Sequence, residues 1–223
     1  MEKETQFWYR WIWSYSLGEL FGIGAAAVIS RLLVIEYLHT SSGVSTALTT
    51  VVLIIAGATE GVIIGYIQWR SLSKLISDFK PKPWMAATTA GAIAGWVFIL
   101  PPSVMIIFFF SNFFSVVNQN AVFLTLLAGT AFGGVIGMAQ YVLIRKYFYN
   151  AMIWILANTI GWSLSFLLVY FSISFFTTSL YNVIFIITAC LLSGFMQGGV
   201  TGVAVHFRMS IKKGHERKDV VMV

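Results

Sequence analysis

The sequence predicts an all-α polytopic membrane protein, with six transmembrane helices arranged as three tandem hairpins in a pseudo-threefold bundle. Three observations lead there. Of 223 residues, 58% are hydrophobic and only 10% charged, with a mean hydropathy of +0.84, whereas soluble domains carry charge at about a quarter of positions. Six windows are apolar over the roughly 20 residues that cross about 30 Å of hydrocarbon. Self-comparison also finds glycines at four-residue spacing in three of those windows. The composition excludes a disordered chain, a disulfide scaffold (Cys190 is the only cysteine) and any sizeable aqueous domain, so residues 1–223 read as one transmembrane domain.

The spans are placed at Trp11–Ser30, Thr46–Trp69, Trp84–Phe108, Ala121–Ile144, Ala151–Phe175 and Tyr181–Phe207. Mixed acids and bases precede the first, and no small-residue cleavage pattern follows it, so it reads as a retained span rather than a signal peptide. In the third, Pro101–Pro102 either kink the helix or end it and leave Ser103–Phe110 as a short second segment. The connections sort by charge. Thirteen of the fourteen Lys and Arg residues fall in Glu2–Arg10, Arg70–Lys82, Arg145–Lys146 and Arg208–Lys218, and only Arg31 lies on the other side. Basic residues near span ends resist translocation, so both termini are expected in the cytoplasm. Trp8, Trp11, Trp13, Trp69, Trp84, Tyr141, Tyr147, Tyr149 and Trp154 then fall at cytoplasmic boundaries and read as an aromatic belt with wetted polar edges. The net charge of +6 reads as topology and contact with anionic membrane lipid, not as a nucleic-acid footprint.

The second, fourth and sixth spans carry Gly57, Gly61, Gly65; Gly129, Gly133, Gly137; and Gly194, Gly198, Gly202. The first two ladders continue to Gln68–Trp69 and Gln140–Tyr141, the third to Val205–His206. The other spans pair a tryptophan with a glycine seven residues on: Trp11 and Gly18, Trp84 and Gly91, Trp154 and Gly161. Copies separated by 65 to 73 residues describe one helical pair repeated three times and permuted, so that the first span belongs with the sixth. Parallel repeats related about the membrane normal are a known transporter plan. Small residues let helix backbones approach in lipid, where association has little hydrophobic drive. Gln68 and Gln140 lie on their glycine faces and point into the bundle, as interhelical hydrogen-bond partners or as ligand contacts.

The pattern Gly-x-x-x-Gly-x-x-Gln-[Trp/Tyr]-x-x-Leu, present as Gly61–Leu72 and as Gly133–Ile144 with isoleucine at the end, resembles a repeat in uncharacterised polytopic bacterial membrane proteins. The resemblance implies a bacterial inner-membrane location and no catalytic activity.

Two carboxyls sit at membrane depth, where a central acid costs about 2.5–3.5 kcal/mol on translocon scales. Glu60 lies ten residues before Arg70 and Glu19 eight after Trp11, depths of roughly 15 and 12 Å at 1.5 Å per residue. They are therefore expected to meet and to share at least one proton. Aligned on the glycines, Glu60 matches Phe132 and Gln197, giving one carboxylate, one aromatic wall and one amide. Such a site holds a small ligand or relays a proton; alternatively each acid is a structural group bonded to Ser16, Asn158 or Gln197. Asn158, matched by Tyr15 and Thr88, reads as helix glue. Arg31, Glu36 and His39 read as an outer interfacial segment, and His206 as a headgroup-level ring.

No phosphate-binding loop, paired-cysteine metal site or zinc-protease motif occurs, and no residue pattern requires a cofactor. Gly161–Trp162–Ser163–Leu164 lacks the Gly-x-Ser-Gly of the six-span rhomboid proteases. The function classes left are two. One is a small transporter or channel-like protein, or a membrane-embedded substrate-binding subunit comparable in size to those of energy-coupling-factor systems, with a small-molecule or ion substrate. The other is a scaffold, immunity or regulatory protein that packs against a partner membrane subunit or a second copy.

Overall fold

The computed structural model describes residues 7–22, 45–99, 117–175, 179–208 and 211–212. Every regular element in them is helical. Helix α1 covers 7–22, and α2 covers Ser45–Leu72. Helix α3 covers Pro81–Ala94 and runs into a π-helical turn at Gly95–Ile99. Helix α4 covers Val117–Ile144 and α5 Met152–Phe175; α6 covers Ser179–Val203 and also ends in a π-helical turn, Ala204–Arg208.

Four stretches are long and apolar enough to cross a membrane: Val51–Leu72, Val122–Ile144, Met152–Phe171 and Ile187–His206. The last three fall inside windows read from the sequence, and the first overlaps Thr46–Trp69 but runs on to Leu72. The outer parts of the first and third windows, including Pro101–Pro102 and Arg31, Glu36 and His39, lie outside the described residues.

Local chemistry explains the helix ends. Pro81 occupies the first turn of α3, where its fixed φ suits a helix and its missing N–H costs nothing. The turns leaving α2 and α4 have the same hydrogen bonds: Ile76 N donates to Leu72 O at 3.0 Å, and Phe148 N donates to Ile144 O at 3.1 Å. Asn150 closes the second turn at φ 55°, a left-handed conformation that asparagine adopts more readily than other side-chain-bearing residues. The Lys212 amide donates to Tyr147 O at 2.7 Å, tying the segment that follows α6 to this turn. We call this the basic end of the bundle.

Glycine contacts define the helix neighbours. A Cβ placed on Gly61 of α2 would lie 2.5 Å from Thr89 Cα of α3. On α4, Gly133 abuts the Asn158 carbonyl of α5, and on α6 a Cβ at Gly194 would lie 2.5 Å from Ser16 Cα of α1. Those approaches admit hydrogen only. A second set links the other faces: Gly18 of α1 meets Ile64 of α2, Gly91 of α3 meets Ile136 of α4, and Gly161 of α5 meets Gln197 of α6. Thus α1 packs on both α2 and α6, and each helix has a neighbour on either side.

The core at the basic end is aromatic. Trp11, Trp84 and Trp154 are fully buried, and Trp154 contacts the other two edge-on at centroid distances of 6.2 and 5.9 Å. Leu72, Ile76, Phe79, Ile144, Phe148, Val205 and Ile211 surround them. This corrects the belt reading for those three tryptophans. They face the bundle interior, where an indole can bury a large apolar surface and still place its N–H on a partner. Trp13, at 61% exposure, and Tyr149, at 53%, do face outward.

Candidate functional site

Two polar layers lie inside the bundle. The one nearer the basic end is built from Trp11, Tyr15, Gln68, Thr88, Gln140, Trp154 and Thr201, with at least one member from each of the six helices. Trp154 Nε1 donates to Gln140 Oε1 at 2.9 Å. The Gln140 amide donates to Gln68 Oε1 at 2.7 Å and to Thr88 Oγ1 at 2.9 Å, and Gln68 Nε2 donates to the Tyr15 hydroxyl at 2.8 Å. On the far side, Trp11 Nε1 donates to Thr201 Oγ1 at 3.1 Å, and that hydroxyl donates to Gln197 O at 2.7 Å.

Gln140 thus has both amide hydrogens and its carbonyl oxygen engaged in bonds to other helices. Such a group ties four helices together. Both glutamines are buried on the glycine faces of their helices. One donor is left over. Trp84 Nε1 is buried without an acceptor among the described residues. Asn158 is buried in the same region, beside Gly137. Its Nδ2 donates to Trp154 O at 2.9 Å, one turn back on α5, and its Oδ1 has no donor among the described residues.

The second layer lies further from the basic end and holds the two carboxyls. Glu19 and Glu60 are 0% and 1% exposed, and Glu19 lies within electrostatic reach of Glu60. The buried thiol of Cys190 on α6 is within reach of both. Glu60 accepts a hydrogen bond from Trp96 Nε1, and the Glu60 stem packs against Gly22 of α1. Its other oxygen, Oε1, is buried without a partner among the described residues. Trp96 sits in the π-helical turn that continues α3. Extra-residue turns of this kind recur at functional sites because they re-aim a side chain without breaking the helix. Beside it, Phe132, Trp162 and Phe166 pack ring to ring, with Phe132 and Trp162 centroids 4.5 Å apart.

The partner of Glu60 is thus Trp96, not Ser16, Asn158 or Gln197. The indole donor was not legible in the sequence: Trp96 is one of three aromatic residues, with Trp84 and Phe98, in α3 and its π-helical turn, and nothing local singles it out. Gln197 also departs from its expected place. It faces Gly161 as Ile64 faces Gly18 and Ile136 faces Gly91, so it matches those isoleucines and lies one helical turn from the register of Glu60. Ser193, buried with no partner for its Oγ among the described residues, holds the position matching Glu60 and Phe132. The same shift puts Thr201, not Val205, opposite Gln68 and Gln140, which agrees with its bond to Trp11.

No group of three or more His, Cys, Asp and Glu residues suited to a metal occurs among the described residues. Among known proteins, the chain matches no family model, no curated sequence and no solved structure.

Proposed function

We propose that this chain is a small ion or solute transporter of the bacterial inner membrane, or the membrane-embedded binding subunit of one. In this reading, six spans form three hairpins, α2 with α3, α4 with α5 and α6 with α1, about a pseudo-threefold axis, with both termini cytoplasmic. The matched glycine contacts, the shared turns after α2 and α4, and the clustering of basic residues at one end support it.

The observation that carries the functional reading is the Glu19 and Glu60 pair, fully buried, within electrostatic reach of one another and with one oxygen of Glu60 unpartnered among the described residues. Two acids at membrane depth are expensive as structure alone, and intramembrane acids of this kind mark ion and proton paths. A proton or another small cation is the substrate class that suits them, since it offsets like charge and needs little volume. Gln68, Gln140 and Asn158 then form the support on the basic side, and Gln197 flanks the acids without touching the ion.

The test is flux in proteoliposomes carrying a pH-sensitive dye, for the wild type, Glu19→Gln and Glu60→Gln. Glutamine keeps the shape and the Trp96 bond but cannot carry charge. Flux in the wild type that both variants lose, at unchanged thermal stability, supports transport. No flux, with the variants less stable than the wild type, favours the second reading, a scaffold or regulatory protein.

A further inference from the structure

At the basic end, α1 and α2 form a seam whose two sides change character together. Ser14 and Ser71 meet across it at 3.4 Å between hydroxyl oxygens, and further in Gly18 closes on Ile67 and Ile64. Arg10, Ser14, Leu17 and Phe21 recur at helical spacing along one side of α1, and Arg10, Leu17 and Phe21 are exposed. On α2 the matching stripe is Ile63, Ile67 and Arg70, continued by Lys74 one turn beyond. Both sides are thus cationic at the end of the bundle and apolar deeper in.

The three cations converge rather than spread. The charges that face Lys74 are Arg10 and Arg70, and partial burial followed by their repulsion holds its ammonium below the usual lysine range. Positive-inside topology asks only for basic residues on one side of the membrane and gives no reason to crowd three around one pair of serines. A phosphate between them would relieve the crowding and take hydrogen bonds from the two serines and both guanidinium groups. The apolar stripe below, exposed Leu17 and Phe21 beside half-buried Ile63 and Ile67, is where acyl chains attached to that phosphate would lie.

We propose that the α1–α2 seam at the basic end binds one anionic phospholipid, with its headgroup phosphate held by Arg10, Arg70 and Lys74 and its acyl chains along Leu17, Phe21, Ile63 and Ile67. The site is separate from the carboxyl pair and does not depend on the transport reading.

The experiment is native mass spectrometry of the detergent-purified full chain, titrated with phosphatidylglycerol and with phosphatidylcholine of identical acyl chains. The wild type should retain one phosphatidylglycerol with at least a fivefold preference. The triple variant Arg10→Gln, Arg70→Gln, Lys74→Gln should lose that preference, whereas Arg10→Lys with Arg70→Lys should keep it. A control that removes the same charge elsewhere, Lys82→Gln, Arg145→Gln, Lys146→Gln, should also keep it. Matching thermal midpoints for all four proteins establish that they fold alike. An equal loss in the control would make the preference a general surface-charge effect and overturn the site. Displacement of the lipid by inorganic phosphate at similar concentration would reassign it to a free anion, and absence of any preference in the wild type would remove it.

Discussion

The glutamine layer and the carboxyl layer are built from similar materials, buried polar side chains on tightly packed helices, yet they end in opposite states. In the first, Gln140 engages both amide hydrogens and its carbonyl oxygen with Gln68, Thr88 and Trp154. In the second, Glu60 accepts one bond, from Trp96, and its other oxygen has no partner among the described residues. Buried polar networks rigidify when complete and are costly when incomplete. The comparison therefore separates a layer whose polar side chains bond one another across helices from one in which a buried carboxyl keeps an oxygen without a partner among the described residues.

The largest effect should come from the framework both layers share. Gly61→Leu and Gly133→Leu would drive a side chain into the Thr89 and Asn158 backbones. Because a backbone cannot yield as a side chain does, the cost should exceed the usual 1–3 kcal/mol or so of overpacking. Membrane-inserted protein should fall several-fold by quantitative immunoblot. Gly199→Leu, with nothing within 4 Å of its Cβ, should leave the level unchanged. Equal loss at all three positions would mean that the close glycine contacts are not what holds the helices.

Next comes the complete layer itself. Gln140→Leu removes three hydrogen bonds and strands Trp154 Nε1 and Gln68 Oε1, a loss of about 2–6 kcal/mol when interhelical bonds contribute about 0.6–2 kcal/mol each. It should appear as a lowered unfolding midpoint in detergent. Glu60→Gln should barely move that midpoint while abolishing flux. Reversal of the pair, with Glu60→Gln unstable and Gln140→Leu tolerated, would exchange the roles assigned to the two layers.

A finer comparison lies within the three tryptophans. Trp154→Phe leaves Gln140 Oε1 without its donor and should cost about 1–2 kcal/mol beyond the change in ring size. Trp84→Phe removes an indole N–H that has no acceptor among the described residues, so its polar cost should be near zero. Equal midpoints for the two would show that Trp84 has a partner after all, such as an ordered water.

The smallest effect concerns the basic end. Lys74 is held below its ordinary value of 10.5 by burial, then by Arg10 and Arg70, so its charged form is disfavoured in the folded protein. That penalty is fully present at neutral pH and falls away as pH rises through the depressed value towards the ordinary one. Lys74→Gln in lipid-free detergent should therefore raise the midpoint slightly at neutral pH, and the difference from the wild type should shrink on going alkaline. Bound phosphatidylglycerol should reverse the sign, because the lysine then has a counter-charge to lose.

Much of this was legible without coordinates. Apolar windows are a local property of composition, so the four long apolar helices coincide with windows read from the sequence, the first running three residues beyond its own. The burial of Gln68 and Gln140 followed from helical spacing against the glycine faces, that of Glu19 and Glu60 from their depth along the spans, and that of Asn158 from its match to Tyr15 and Thr88. The destinations of the indoles were not legible. A tryptophan near a span end suits an interface or a core equally well, and only the neighbouring helices send Trp11, Trp84 and Trp154 inward and Trp13 outward. Nor does anything in α3 mark Trp96 as the donor to Glu60, since its direction depends on the π-helical turn at Gly95–Ile99.

The sequence by itself determined which stretches are helical and apolar, which faces are narrow and how deep the acids lie, because each depends on residues within a few turns of one helix. The register of α6 was decided only by the tertiary structure. Gly194, Gly198 and Gly202 recur every four residues, so sliding that ladder by one turn lays glycine on glycine again at most positions. Self-comparison barely distinguishes the two alignments. Backbone contact does: Gly194 meets Ser16 as Gly61 meets Thr89, which sets Thr201 beside the glutamines and moves Gln197 away from the register of Glu60.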